Sequence, residues 1–271
     1  MIDHAALRAR AESAARAGGA LARDAFGRRK SVTLKPDSSE VTEVDVAAER
    51  TVVEHIRTAR PLDRFIGEEG VAQPSPAVTS ADSAIYWVID PIDGTRNFIR
   101  GVPTFSCSVA AMHAGRPVAA AIYDPMADVM YSAAAGGGAT AGTLRLDCGS
   151  SAESVRNPQL LVGIPSAWRP DRGPFVQALL TRCVVRSLGS ATHHLVYIAT
   201  GGIDATIMNN CKLWDIAAGA LIVEEAGGVV TDPDGRPHFP IDLAAFDACE
   251  LPTLAGTKSA HAELLRQIRA T

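Results

Sequence analysis

Residues 85–134 contain four strand-like runs separated by turns, and this feature constrains the fold most. The runs are 85–89, 105–113, 117–123 and 128–134. The last three are joined by Ala114-Gly115-Arg116 and by Asp124-Pro125-Met126-Ala127, whose Gly, Pro and Asp residues are typical of tight turns. Closely spaced strands with such connections predict an antiparallel meander, so this part of the chain must fold around a sheet.

The pattern changes near residue 150, where helical segments begin to alternate with short strands. The helices are predicted at 172–181, 190–200, 215–226 and 258–270, and the strands at 183–186, 203–208, 228–231 and 253–255. This alternation is typical of α/β architecture. We therefore predict an α+β N-terminal part with an antiparallel sheet, residues 1–148, and an α/β C-terminal part, residues 149–271.

Two helices are predicted before the meander. Residues 3–26 have apolar side chains at helical spacing, and this helix is expected to be interrupted or to end near Gly18-Gly19 or Gly27. A second helix is predicted from Val44 to about Ala59, and a short strand at 64–66 follows it. Residues 70–83 are rich in Pro, Ser, Ala and Asp, which predicts a loop.

Composition and charge exclude several classes of function. Hydrophobic residues make up 47% and the formal net charge is -4, so no basic field is available to bind nucleic acid non-specifically. Five cysteines without a Cys-x-x-Cys pair argue against a disulfide framework. No run approaches the roughly 20 apolar residues that span a bilayer, and no signal peptide is visible. We expect a cytoplasmic protein with no membrane or nucleic-acid partner.

The most informative segment runs from Trp87 to Thr95 and contains two aspartates. A hydrophobic strand is predicted to end at Asp90, Pro91 to halt its pairing, and Asp93 to follow after a sharp turn. Two carboxylates in this arrangement can converge on one point, with the carbonyl of Ile92 between them, and such oxygens are the ligands that Mg²⁺ prefers. An ordinary turn has the same residue types, so local chemistry alone leaves both interpretations open.

Other acids occur at the ends of predicted elements. Glu68 follows the strand at 64–66, Asp45 lies in the first turn of the second helix, and Asp215 opens the helix at 215–226. Taken singly, Asp45 and Asp215 are better explained as helix-start residues, and Glu68 as a solvated acid. Only their combination points to a shared site.

In this order the segments resemble the inositol monophosphatase family. The matching blocks are Gly67-Glu68-Glu69, the segment from Trp87 to Thr95, and Trp214-Asp215-Ile216-Ala217-Ala218-Gly219, within a resemblance that extends from about Lys35 to Gly228. The long central block is highly specific. The resemblance implies a layered αβαβα sandwich, a homodimer, and a lithium-sensitive phosphomonoesterase that uses two or three Mg²⁺ ions.

The resemblance also implies roles for single residues. The metal ligands would be Glu68, Asp90, the carbonyl of Ile92, Asp93 and Asp215. Thr95, paired with Asp45 and near Glu68, would orient the attacking water and help to deprotonate it. The N–H groups of Gly94 and Thr95, at a helix start, would suit a phosphate oxygen.

Substrate preference is predicted from the C-terminal half. Arg186, Ser190 and Ala191 lie in a stretch that resembles the family's pocket-lining R-S-x-G-[ST]-A segment. Inositol-specific members have a Glu seven residues before the W-D aspartate, where this chain has Met208. A thioether cannot accept a strong hydrogen bond from a hydroxyl, which argues against inositol 1-phosphate. A histidinol-phosphate, fructose-bisphosphate or nucleotide/NADP phosphatase of the same family stays open.

Weaker signals were weighed against ordinary structural interpretations. His193-His194 predict a surface or half-buried pair without a ligand role. Gly136-Gly137-Gly138 lack the rest of a P-loop, which predicts a flexible turn. A second class of function is a regulatory or binding protein that acts through its surface. The complete set of predicted ligands favours the enzyme, which would act on a small phosphate ester.

Overall fold

The computed structural model describes residues 2–35, 39–71, 84–149, 159–164 and 173–269. Over these residues two large sheets, a small hairpin and several helices form the fold. The helices are α1 (His4–Ala25), α2 (Glu43–Arg57), α3 (Thr95–Arg100), α4 (Gly173–Arg182), α5 (Ala191–Ala199), α6 (Leu213–Glu225) and α7 (Lys258–Arg269). The strands are β1 (Val32–Leu34), β2 (Glu40–Thr42), β3 (Arg64–Gly67), β4 (Tyr86–Asp93), β5 (Ser106–His113), β6 (Arg116–Asp124), β7 (Val129–Ala134), β8 (Gly138–Ala141), β9 (Leu144–Arg145), β10 (Leu161–Gly163), β11 (Val184–Arg186), β12 (Ala205–Met208), β13 (Val229–Thr231) and β14 (Thr253–Gly256).

The larger sheet has seven strands in the order β3-β4-β5-β6-β7-β8-β9. β3 and β4 are parallel, and the other neighbouring pairs are antiparallel, so the predicted meander is confirmed. The central strands are buried on both faces, because α1 and α2 cover one side and α6 covers the other. Double burial explains why these strands are apolar throughout instead of alternating.

The smaller sheet has five strands in the order β11-β10-β12-β14-β13 and contains parallel and antiparallel pairs. One face packs against α4 and α7. The other face shares a core with α5 and α6, which also pack on the larger sheet. The layers are therefore α1/α2, sheet, α5/α6, sheet and α4/α7, and the predicted αβαβα sandwich is confirmed.

Several local predictions differ from the structure. Gly136 and Gly137 lie in a turn as predicted, but Gly138 begins β8, because β8 and β9 continue the sheet beyond the meander. The β1–β2 hairpin is missing from the sequence prediction. The loop predicted at 70–83 lies mostly outside the described residues, and the division into residues 1–148 and 149–271 stays a prediction. Among the described residues, no helix has the length and apolarity needed to cross a bilayer.

Helix α1 continues through Gly18 and Gly19 and ends at Ala25, so the predicted end near Gly27 is confirmed and the alternative at Gly18-Gly19 is wrong. A Cβ atom at Gly19 would lie 2.6 Å from Cδ1 of Tyr123, and one at Gly18 would lie 2.7 Å from Cγ2 of Val52. The missing side chains thus let α1 approach the larger sheet and α2 closely. The packing gained in this way outweighs the poor helix propensity of glycine.

We expect Gly19→Ala to lower the free energy of unfolding by about 1–3 kcal/mol, because its methyl group would overpack against Tyr123. The sign is informative, since glycine to alanine at an open helix position stabilises by about 1 kcal/mol. Urea denaturation measures the change. Ala9→Gly, at an exposed position of α1, is the control for helix propensity alone. A Gly19→Ala variant more stable than the wild type would contradict the packing argument.

Candidate active site

Asp90 and Asp93 are brought together by a β-bulge in β4. Asp90 pairs with Ser108 and Asp93 pairs with Ser106, so three steps along β4 face two steps along β5. Residues three apart in a regular strand point to opposite faces, but one extra residue returns both to the same side. The sequence prediction that pairing stops at Pro91 is therefore wrong. Pairing resumes at Asp93, and the missing N–H of Pro91 is tolerated because it falls within the bulge.

Asp215 reaches the same place from the start of α6. It is the third residue of the helix, and its Oδ2 accepts the backbone N–H of Lys212 at 2.6 Å. One carboxylate oxygen each from Asp90, Asp93 and Asp215 lie within 4.8 Å of one another. Burial, and then the neighbouring negative charges, raise the pKa of Asp90 and Asp215 well above their usual range. Such a cluster is stable in its charged form only with a compensating cation.

Glu68, at the end of β3, completes the group of acids. Burial raises its pKa most, whereas Lys35 and a hydrogen bond with Asp90 lower it. The ammonium group of Lys35 lies 2.8 Å from Oε1 of Glu68 and 2.8 Å from Oε1 of Glu69. Burial lowers the pKa of Lys35, but the two glutamates outweigh it and raise that pKa. The β1–β2 hairpin therefore places a counter-charge beside the site.

Glu49 supports the segment that carries Glu68, a role that sequence reasoning missed. Its side chain is fully buried on α2 and accepts the backbone N–H groups of Glu69 and Val71 at 2.7 Å each. Gly67 allows this approach, because a Cβ atom there would lie 2.4 Å from Oε1 of Glu49. An acid inside an amphipathic helix gives no sequence signal of such a role, since it is indistinguishable from a surface acid.

Asp45 and Thr95 form a hydrogen-bonded pair, as the resemblance implied. Oδ2 of Asp45 accepts the backbone N–H of Thr42 at 2.9 Å and its hydroxyl at 2.5 Å. The hydroxyl of Thr95 lies 3.1 Å from Oδ1 of Asp45 and 3.0 Å from the carbonyl oxygen of Ile92. Burial raises the pKa of Asp45, and hydrogen bonds from Thr42 and Thr95 offset part of that rise. A carboxylate of raised pKa is suited to accept a proton.

The N-terminus of α5 holds Asp93. Oδ2 of Asp93 accepts hydrogen bonds from the hydroxyls of Ser190 and Thr192 and from the backbone N–H of Thr192 at 2.8 Å. Oδ1 of Asp93 accepts the backbone N–H of Ala191 at 3.1 Å. Ser190 and Ala191, which the sequence predicts as pocket residues, thus each donate a hydrogen bond to a predicted ligand. Oδ1 carries the single weaker contact and keeps a lone pair for a cation.

The other predicted pocket residues lie in different surroundings. Arg186 is exposed and donates to the carbonyl of Val185 at 3.1 Å. Met208 is only 1% exposed and belongs to the main hydrophobic core. Their substrate-binding roles stay predictions. His193 and His194 are 2% and 0% exposed, so the prediction of a surface or half-buried pair is wrong, because α5 lies between the two sheets.

The donor set fits a hard cation. Four carboxylates meet here, and among the described residues Lys35 is the cation hydrogen-bonded to one of them. An oxygen-only set with excess negative charge is what Mg²⁺ and similar ions require. A layered α/β sandwich with such a cluster at the ends of its strands and helices is typical of metal-dependent phosphatases.

Comparison with known proteins specifies the class. The model of the inositol monophosphatase family matches residues 3–270, and the chain therefore belongs to that family. It is 36% identical over 243 residues to the inositol-1-monophosphatase of Rhizobium meliloti (strain 1021), covering 87% of this chain and 88% of the relative. It is also 37% identical over 232 residues to the Nus factor SuhB of Pasteurella multocida (strain Pm70), covering 83% and 85%.

A solved structure agrees with these relatives. The IMPase of Thermotoga maritima superimposes with a TM-score of 0.80 at 29% sequence identity, covering 95% of this chain and 94% of the other. Members of the family are phosphoric monoester hydrolases, and this chain is assigned to the same enzyme class.

Proposed function

We propose that this chain is a Mg²⁺-dependent phosphomonoesterase that hydrolyses the phosphate ester of a small polyol or similar metabolite. The observation that supports this most is the meeting of Asp90, Asp93 and Asp215 within 4.8 Å, with Glu68 beside Asp90. These four carboxylates and the carbonyl of Ile92 would hold two or three Mg²⁺ ions. Mg²⁺ supplies positive charge that offsets a phosphate dianion and makes a water easier to deprotonate.

Thr95 and Asp45 are placed to orient the attacking water and to accept its proton. The hydroxyl of Thr95 can accept a proton from water while it donates its own hydrogen to Asp45 at 3.1 Å. Thr42 occupies the other oxygen of Asp45, so Oδ1 remains for this relay. The product proton would then lie on a buried carboxyl group whose pKa is already raised. Water attacks phosphorus directly in this scheme, and no covalent phosphoenzyme is needed.

The backbone N–H groups of Gly94 and Thr95 are proposed to bind a phosphate oxygen. Gly94 precedes α3 with φ of 96°, a left-handed conformation that favours glycine. A Cβ atom there would also lie 2.9 Å from the carbonyl oxygen of Thr104. Any side chain at position 94 would therefore displace this turn, and with it the backbone N–H groups of Gly94 and Thr95 that are proposed to bind phosphate.

The substrate is proposed to be something other than inositol 1-phosphate. The residue at the position of the inositol-specific Glu is Met208, which is buried and offers no strong acceptor. A site without the acceptor cannot discriminate strongly for a ring hydroxyl. The likeness to a Nus factor SuhB supports a second candidate, a regulatory protein on the same fold. The homodimer and the lithium sensitivity implied by the resemblance, and the cytoplasmic location expected from the sequence, stay predictions.

Phosphate release from a panel of metabolite esters, with and without Mg²⁺, tests the proposal. We expect turnover that EDTA abolishes, that added Mg²⁺ restores and that lithium inhibits. Another ester of the panel should have a higher kcat/KM than inositol 1-phosphate. Histidinol phosphate, fructose 1,6-bisphosphate, a nucleotide 3′-phosphate and NADP cover the alternatives within the family. Absence of both turnover and Mg²⁺ binding, by isothermal titration calorimetry, would favour the regulatory class.

A further inference from the structure

A buried chain of hydrogen bonds connects Asp93 with a second acid of the larger sheet. Asp93 accepts the hydroxyl of Ser190, whose oxygen lies 2.7 Å from Nδ1 of His193. Nε2 of the same ring lies 3.1 Å from Oδ2 of Asp124, at the end of β6. The four side chains belong to residues that are 6%, 1%, 2% and 6% exposed in that order. No step of the proposed reaction uses His193 or Asp124.

The hydrogens along this chain can be assigned from the donors and acceptors. Asp93 must be deprotonated to bind a metal, so it can only accept. The single hydroxyl hydrogen of Ser190 therefore goes to Asp93, and Ser190 Oγ must accept from its other neighbours. One of these is the backbone N–H of His193 at 3.2 Å, and the other is Nδ1 of its ring at 2.7 Å. Nδ1 must then carry a hydrogen.

The hydroxyl of Thr192 cannot replace this donor. The Thr192 hydroxyl also donates its hydrogen to Asp93. It therefore accepts a hydrogen bond from the hydroxyl of Ser106, which lies 2.6 Å away. Thr192 Oγ1 is 3.3 Å from Ser190 Oγ, with its hydrogen already directed to Asp93. The orientation of the Ser190 hydroxyl thus depends on His193.

Asp124 holds the ring in this orientation. Its Oδ1 accepts the backbone N–H groups of Met126 and Ala127 at 2.9 Å each, which leaves Oδ2 for Nε2 of His193. Burial raises the pKa of Asp124, but the hydrogen bonds from His193 and the two amides outweigh it and lower that pKa. An ionised Asp124 can accept a hydrogen bond from Nε2, and this contact holds the ring with Nδ1 toward Ser190.

We infer that His193 is a positioning residue of the metal site, which presents Nδ1–H to Ser190 so that the Ser190 hydroxyl is fixed on Asp93. The inference rests on the proposed function, since Asp93 matters only as a metal ligand. If Nδ1 were an acceptor, the serine hydrogen would turn toward it, and Asp93 would face a lone pair instead of a donor. Asp93 would then lose one of the groups that hold it in place, and removal of such a supporting partner typically weakens metal binding about 10–100-fold.

Two amide substitutions separate this role from packing. In His193→Asn the side-chain amide can occupy the place of Nδ1, whereas in His193→Gln it occupies the place of Nε2 beside Asp124. Both variants bury one amide in place of the ring. We expect His193→Asn to keep its Mg²⁺ affinity within about threefold, and His193→Gln to lose about 10–100-fold. Isothermal titration calorimetry with MgCl₂ on the full chain measures both, and melting in EDTA checks that each variant folds.

Equal Mg²⁺ affinity of the two variants, beside a wild type that binds, would overturn this inference alone. A wild type that binds no Mg²⁺ would overturn the proposed function and the inference together. A second measurement needs no variant: the ¹⁵N resonances of the His193 ring in the Mg²⁺-loaded wild type report which nitrogen carries a hydrogen. A protonated Nδ1 is expected, and an unprotonated Nδ1 would overturn the inference even if both variants failed to fold.

Discussion

Asp93→Asn should lower the kcat/KM for phosphate release by about 100-fold or more, at the upper end of what changes around a metal ligand cause. The asparagine amide cannot both accept the hydrogen bonds that now reach Oδ2 and present an oxygen to the cation. If its NH₂ group replaces Oδ2, it meets three donors, namely the two hydroxyls of Ser190 and Thr192 and the N–H of Thr192. If the amide turns round, its oxygen accepts those donors, but the NH₂ group then faces the cation. Either orientation removes an anionic ligand.

Steady-state kinetics with the best ester of the panel, at saturating Mg²⁺, checks this expectation. Asp128→Asn is the matched control, because the same chemical change is made on an exposed carboxylate that contacts Arg16 and Tyr123. The control should keep wild-type turnover. A folded Asp93→Asn protein with near-normal turnover would show that the site is wrongly assigned.

The sequence predicted most helices and strands well because local patterns determine them, whereas the layered sandwich followed from the family resemblance. The closely spaced strand-like runs from 85 to 134 predict a meander, and the alternation of helices and strands after residue 150 predicts an α/β C-terminal part. Asp90, Asp93 and Asp215 could be singled out because each lies at the end of an element, where side chains converge. The resemblance to a family, and not spacing alone, joined them into one site.

The remaining features depend on tertiary contacts that a single sequence does not show. The bulge at Pro91 depends on the register between β4 and β5. The continuity of α1 through Gly18 and Gly19 depends on the side chains of Val52 and Tyr123. The burial of His193 depends on the second sheet, which covers α5 from the far side. In each case long-range packing decides between local alternatives that are equally acceptable in isolation.

Two acids of the site, Asp215 and Asp90, accept an N–H group of their own segment, and Asp93 accepts hydrogen bonds from a distant one. Asp215 accepts an N–H at the start of α6, Asp90 accepts the N–H of Ile92 at 3.1 Å, and Asp93 is held by the N-terminus of α5. The core then forces these carboxylates together although they repel one another. Without a cation, the site therefore opposes folding, and the rest of the molecule must supply the stability.

This opposition predicts that Asp90→Asn melts at a higher temperature than the wild type in EDTA at pH 7. Burial and the charges of Glu68, Asp93 and Asp215 raise the pKa of Asp90 in the folded protein above its unfolded value. Stability from a raised carboxyl pKa is present at low pH and is lost as the pH rises through the folded pKa, so the wild type is penalised at pH 7. Asparagine removes the charge, and its oxygen can still accept the N–H of Ile92.

A stability difference of about 1 kcal/mol moves the melting temperature by about 2–4 °C in a protein of this size. The order should reverse in excess Mg²⁺, because a ligand that binds only the folded wild type stabilises it by mass action, whereas the variant lacks a ligand group. Differential scanning calorimetry in EDTA and in MgCl₂ gives both orders, with Asp128→Asn as the control. An Asp90→Asn protein less stable than the wild type in EDTA would mean that the carboxylates do not repel one another in the folded chain. The clustering of acids would then no longer require a cation.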